Sequence, residues 1–226
     1  MNREARGINR EARIIKKIGL FGGTFNPVHL GHAILAERVY TDFKLDELIF
    51  IPSKLPPHKN VTGAAVRDRY EMVKLAAGAL GDNFKVSDFE ITSEGISYTH
   101  RTVKHWRENH PDDAIFFIAG TDIFISIGSW QNWEDLFNQC NFIVVNRTGT
   151  DFDEVLRTIP PIPLDRVVKS DEYKGEISGR IILYTMPAVD ISSTEIRVQM
   201  DEKMLLDDIY NYIKERNLYK TSVKGE

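Results

Sequence analysis

A chain of 226 residues, 42% hydrophobic and 27% charged, is long enough for one sizeable core and has the composition of an ordinary globular protein. Its net charge of -4 and pI near 5.9 exclude a general nucleic-acid binder, which would be basic, yet leave room for anionic small substrates in a local basic pocket. No apolar stretch approaches the roughly 18 residues that span a bilayer, and the N-terminus lacks the apolar region of a signal peptide, so neither a membrane partner nor export is expected.

The single Cys140 has no disulfide partner and no CxxC neighbour. It reads as a buried small hydrophobe at a strand start, consistent with a reducing, cytoplasmic location. The first residues repeat a heptad, NREARGI at 2–8 and NREARII at 9–15. Two copies fall short of the three or four that argue a coiled coil, so residues 1–16 are expected to form a tail outside one domain at 17–226. The composition leaves the oligomeric state, a homo-oligomer included, open.

The stretch from Ile18 to His32, IGLFGGTFNPVHLGH, organises the rest. Ile18, Leu20 and Phe21 form a short apolar run ending at two glycines, which suits a buried strand. Gly22 and Gly23 are expected to supply positive φ and close backbone approach to a ligand. Pro27 fits the first turn of a helix over 28–40. On that helix His29 and His32 share a face, with Gly31 removing bulk where a ligand would lie. A helix N-terminus carries free N–H groups and partial positive charge, and two imidazoles add donors for a phosphate.

Residues 48–51, LIFI, form the next strand, ended by Pro52. Strand, helix and strand make a βαβ unit, hence a parallel, right-handed crossover. The basic, proline-rich loop SKLPPHK at 53–59 then lies at the carboxyl edge of a parallel strand, where ligands bind in open α/β sheets. Val66, Tyr70, Val73, Ala77 and Leu80 are expected to form the core face of a helix. Residues 84–91 alternate loosely and read as a strand. Ser97-Tyr98-Thr99 opens a helix with Val103 and Trp106 on its packed face. The run 114–119 is a further parallel strand, ending at Gly120-Thr121-Asp122, followed by Trp130 and a short helix through Leu136. Residues 142–145 form a strand. The pattern then fails over 148–179, broken by Pro160, Pro161 and Pro163, with one short helix expected near 153–158. Residues 181–184 are the last strand. Strands alternating with helices give a doubly wound, Rossmann-like α/β sheet.

Ser192 with Glu195 fits a capping box. Ser193, Thr194 and the fresh N–H groups of that helix, with the planar fork of Arg197, make a second anion site. Leu205, Ile209, Tyr212 and Ile213 mark a terminal packing helix.

GGTFNPVHLGH and ISSTEIR resemble the two signatures of the nucleotidyltransferase superfamily that carries an (H/T)xGH motif. With IPSKLPPHK, SYT, GTD, SW and the terminal YIKERNLY, the chain resembles the bacterial nicotinate-nucleotide adenylyltransferases over roughly 17–219. Asn26 stands where that family often has Asp, and either residue can hold the turn. The resemblance implies a nucleotidyltransferase-type fold and adenylyl transfer from ATP to nicotinate mononucleotide, with Mg²⁺ held mainly through ATP phosphates. It implies catalytic roles for His29, His32 and Arg197. It places ATP on Gly22, Gly23, Thr24, Phe25, Gly120, Asp122, Ser193, Thr194 and Arg197, and the mononucleotide on Lys59, Tyr98, Thr99 and Trp130. Lys54, His58 and Lys59 either reach a phosphate or only raise the local potential. The alternatives are an adenylyltransferase for another phosphorylated acceptor, nicotinamide mononucleotide or phosphopantetheine, and a regulatory nucleotide-binding module.

Overall fold

The computed structural model describes residues 14–56, 63–146, 152–187, 189 and 191–219. Strand β1 (Lys17–Gly23) is followed by α1 (Leu30–Phe43), β2 (Glu47–Pro52), α2 (Val66–Leu80) and β3 (Phe84–Val86). Then come α3 (Phe89–Thr92), α4 (Thr99–Asn109), β4 (Ala114–Gly120), α5 (Thr121–Phe124), α6 (Trp133–Gln139) and β5 (Asn141–Asn146). Helix α7 (Phe152–Thr158), β6 (Val167–Lys169), β7 (Ile181–Thr185), α8 (Ser193–Gln199) and α9 (Asp207–Glu215) complete the domain.

The seven strands form one sheet in the order β3-β2-β1-β4-β5-β7-β6, with every neighbouring pair parallel. Side chains alternate across its faces, as period two demands. Phe50, Phe116 and Ile143 join one core with Leu35, Val39, Met72, Ile196 and Ile209 of α1, α2, α8 and α9. Ile49, Phe117 and Phe142 join the other with Val103, Phe124, Phe137 and Val155 of α4, α5, α6 and α7. Both faces are therefore covered, which is why these strands read as continuous apolar runs. Each fully buried Phe or Ile contributes about 1.5–3 kcal/mol relative to exposure. The doubly wound expectation holds, and Cys140 is buried just before β5, where burial pushes its thiol pKa well up.

Four local expectations change. Residues 84–91 form only a three-residue strand, because Ser87 Oγ accepts from the Phe89 N–H and turns the chain into α3. The buried stripe of α2 is Arg69, Met72, Val73, Ala76 and Ala77, leaving Tyr70 and Leu80 half-buried. The connection after β5 contains β6, which pairs parallel to β7 at the sheet edge. Helix α1 begins at Leu30, so Pro27 precedes the helix instead of opening it. The heptad repeat lies largely outside the described residues.

Candidate active site

Chain order runs from β1 to β2 and β3 on one side, and returns to β4 on the other. The carboxyl ends of β1 and β4 therefore flank a topological switch point, where open α/β sheets bind ligands. Gly22 and Gly23 end β1 there, but neither has positive φ. Their lack of a side chain serves packing instead. A Cβ on Gly22 would meet the Phe117 ring at 3.1 Å, and one on Gly23 the Phe25 ring at 2.9 Å. The left-handed residue of the turn is Phe25, at φ 47°, an uncommon place for an aromatic residue. Its ring is buried edge-on against Phe21, Phe50 and His32.

His29 is the N-cap of α1, in extended conformation, and His32 is the third helical residue. The His29 N–H donates to His32 Nδ1 at 3.3 Å, and the rings lie 3.8 Å apart between centroids. Because Nδ1 accepts, a neutral His32 ring carries its proton on Nε2. His32 is half-buried, whereas His29 is 2% exposed and backs it. Gly31 makes room within the protein: a Cβ there would meet the His29 ring at 3.1 Å and Ile191 Cβ at 3.5 Å. No acidic residue occupies the first turn of α1, so its positive end is not neutralised locally.

Helix α8 docks directly on this turn. Arg197 Nη1 donates to the Asn26 carbonyl at 2.6 Å and Nη2 to Thr194 Oγ1 at 3.0 Å. Ser193 Oγ donates to the Pro27 carbonyl at 3.0 Å. Ser192 Oγ caps the helix by accepting from the Thr194 N–H at 3.2 Å. The two sequence signatures thus form one continuous wall.

The outer residues join this wall indirectly. Gly120 caps α5 at the end of β4, with Asp122 exposed in the first turn. Trp130 packs edge-on against Phe117, the ring that lies under Gly22, with centroids 6.0 Å apart. Tyr98 and Thr99 start α4 beside the loop after β2, where Ser97 Oγ accepts from the Lys54 N–H at 3.0 Å. Lys54 Nζ donates to the Ser93 carbonyl at 3.0 Å, so it ties this loop to the neighbouring one. Trp106 is half-buried against the second core and stacked on His110, a packing role. Lys59 and His58 lie outside the described residues.

Sequence reading missed two supporting residues. Arg69 is 1% exposed and donates to the Thr24 carbonyl at 2.5 Å and the Lys54 carbonyl at 3.5 Å. Burial lowers its guanidinium pKa from the ordinary value, with Tyr219 acting in the opposite sense. Its position in the stripe 69, 72, 73, 76, 77 is the signal that marks it as inward-facing. Tyr219 OH donates to Asn26 Oδ1 at 2.8 Å, and the same oxygen accepts from the Ala64 N–H at 3.2 Å. Burial pushes the Tyr219 phenol pKa up, against the pull of the nearby Arg69 and Arg197 cations. Among the described residues, no three His, Cys, Asp or Glu side chains converge as metal ligands would. The donor set of imidazole, hydroxyl, guanidinium and helix N–H groups suits anions.

These features define a nucleotidyltransferase: residues 20–199 match the family described as cytidylyltransferase-like. The chain is 38% identical over 213 residues to a protein of Clostridium acetobutylicum named "Probable nicotinate-nucleotide adenylyltransferase", covering 91% of this chain and 100% of that one. It is 35% identical over 212 residues to one of the same name from Clostridium tetani, with the same coverage. The chain belongs to the nicotinate-nucleotide adenylyltransferase family. Its fold is also that of Plasmodium falciparum nicotinic acid mononucleotide adenylyltransferase complexed with NaAD, at TM-score 0.70 and 21% identity over 90% of this chain and 97% of that one. No helix among the described residues is long and apolar enough to cross a membrane.

Proposed function

We propose that this chain transfers the adenylyl group of ATP to nicotinate mononucleotide, giving nicotinate adenine dinucleotide and pyrophosphate, a step of NAD biosynthesis. The observation that carries this reading is the wall formed by the β1 turn, the His29–His32 pair and Arg197 in a chain whose relatives bear that name over their full length.

The 5′-phosphate of the mononucleotide attacks the α-phosphorus of ATP. A new P–O bond forms as the α–β bridging bond breaks and pyrophosphate leaves. The attacking phosphate is ionised at neutral pH, so positioning and charge stabilisation carry the rate. In this proposal His32 Nε2–H donates to the α- or β-phosphate oxygens, and His29 stacks behind it. The backbone of Gly22, Gly23, Thr24 and Phe25 cradles the attacking or bridging phosphate. Ser193, Thr194 and Arg197 take the β- and γ-phosphates and the leaving pyrophosphate. Gly120 and Asp122 attend the adenosine. Tyr98, Thr99 and Trp130 hold the nicotinate end, where the indole face of Trp130 suits a pyridine ring, and Lys59 is assigned to the same mononucleotide. The anion-seeking donor set fits Mg²⁺ that arrives on ATP, where it would neutralise phosphate charge while keeping its waters.

The test is pyrophosphate release with ATP and Mg²⁺, offering nicotinate mononucleotide, nicotinamide mononucleotide and phosphopantetheine separately. Strong preference for the first is expected. Activity only with another acceptor would overturn the pocket assignment while keeping the phosphate sites. ATP binding without turnover on any acceptor would favour a regulatory module.

A further inference from the structure

Arg69 is an arginine buried in the first turn of α2 with no carboxylate partner among the described residues, and its Nε has no hydrogen-bond partner. An unpaired buried cation is costly, so a site that retains one needs compensation. Two backbone carbonyls supply part of it. They belong to different loops: Thr24 in the turn after β1, and Lys54 in the loop after β2. The planar fork presents Nη1 and Nη2 in fixed directions, one to each carbonyl, whereas the three donors of a lysine ammonium radiate from a single atom. Around the fork, Tyr219 OH and the Ala64 N–H fix Asn26, and Arg197 holds its carbonyl.

We propose that Arg69 is a positioning residue that clamps the phosphate-binding turn after β1 to the start of the loop after β2, and so holds the turn that cradles the attacking phosphate in line for transfer. The proposal rests on the adenylyl-transfer reading above. The two carbonyls face Arg69 on the protein side, so the clamp acts through the backbone and touches neither substrate. A clamp of this kind governs alignment at the moment of attack more than the affinity of either nucleotide. Its loss therefore falls on kcat, since a misplacement of about 1 Å costs on the order of 10²-fold.

The experiment compares full-length wild type, R69K and R69Q for kcat, for both KM values and for thermal midpoint. R69K keeps the charge and gives up the fork. The expected result is a folded R69K with kcat lowered roughly 10- to 100-fold and both KM values within about threefold, with R69Q at least as slow. A wild-type kcat in folded R69K would overturn the clamp, because charge alone would then suffice. A raised KM with kcat retained would also overturn it, as would failure of both variants to fold, which would make Arg69 a core residue only. Wild type is run on all three acceptors, and the constants are taken with whichever supports turnover. Preference for another acceptor would thus correct the substrate without touching the clamp, whereas a wild type silent on all three would remove both readings.

Discussion

Gly31→Ala separates the rate of this enzyme from its stability. The new Cβ would sit 3.1 Å from Cε1 and Nδ1 of His29, against an ordinary carbon contact of about 3.5 Å. The imidazole, or the first turn of α1, must therefore give by about 0.4 Å. If about 1 Å of misplacement costs 10²-fold, that shift lowers kcat roughly 5- to 10-fold. Stability responds differently. Alanine gains about 1 kcal/mol over glycine in a helix, while crowding costs about 1–3 kcal/mol. The net loss is then about 2 kcal/mol at most, or roughly 4–8 °C in Tm for a chain of this size. Steady-state pyrophosphate release at saturating substrates and differential scanning calorimetry read the two quantities. A wild-type kcat would refute the argument that the His29–His32 stack must hold its position to support transfer.

Three further outcomes follow from the same geometry. His32→Ala removes the proposed phosphate donor and should lower kcat by roughly 10²–10³, at a stability cost near 1 kcal/mol for the lost bond from the His29 N–H; turnover close to wild type would take His32 out of the mechanism. Trp130→Ala should chiefly raise KM for nicotinate mononucleotide, and an effect on ATP alone would reverse its placement. Burial raises the Glu90 carboxyl pKa, against its hydrogen bonds from Thr102 and Ser97. The folded state then holds that proton to higher pH than the unfolded chain, so this group lowers stability as pH rises through the acid range. Glu90→Gln should raise Tm at pH 7, with the gain shrinking as pH falls below the ordinary carboxylate range; a gain constant with pH would show that ionisation is not the cause.

The strands were legible because a parallel sheet covered on both faces leaves continuous apolar runs such as 48–51 and 114–119. The two signatures were legible because each is a local device, a strand-turn-helix and a capped helix. What periodicity could not reveal was contact across the chain. Gly22, Gly23 and Gly31 read as conformational or ligand-facing glycines, whereas their neighbours Phe117, Phe25 and His29 explain them sterically. Arg69 was passed over: its place in the buried stripe of α2 marks it as inward-facing, but nothing local announces that two carbonyls from separate loops will meet it. The three-residue β6 was too short for a pattern, and the serine turn at Ser87 outweighed the alternation around it.

The β1 turn is made early in synthesis, yet it waits for the far end of the chain. The carbonyl of Asn26 meets Arg197 across 171 residues, and its side chain meets Tyr219 across 193. Contacts so distant close late, after the loop entropy between them has been overcome. A nascent or half-folded copy therefore carries the histidine pair without the opposite wall of the phosphate cradle. On the proposed assignment, such a copy lacks Ser193, Thr194 and Arg197 at the place of the ATP β- and γ-phosphates. Recovery of activity during refolding should lag recovery of the central sheet, so that catalysis itself certifies that the last helices have arrived.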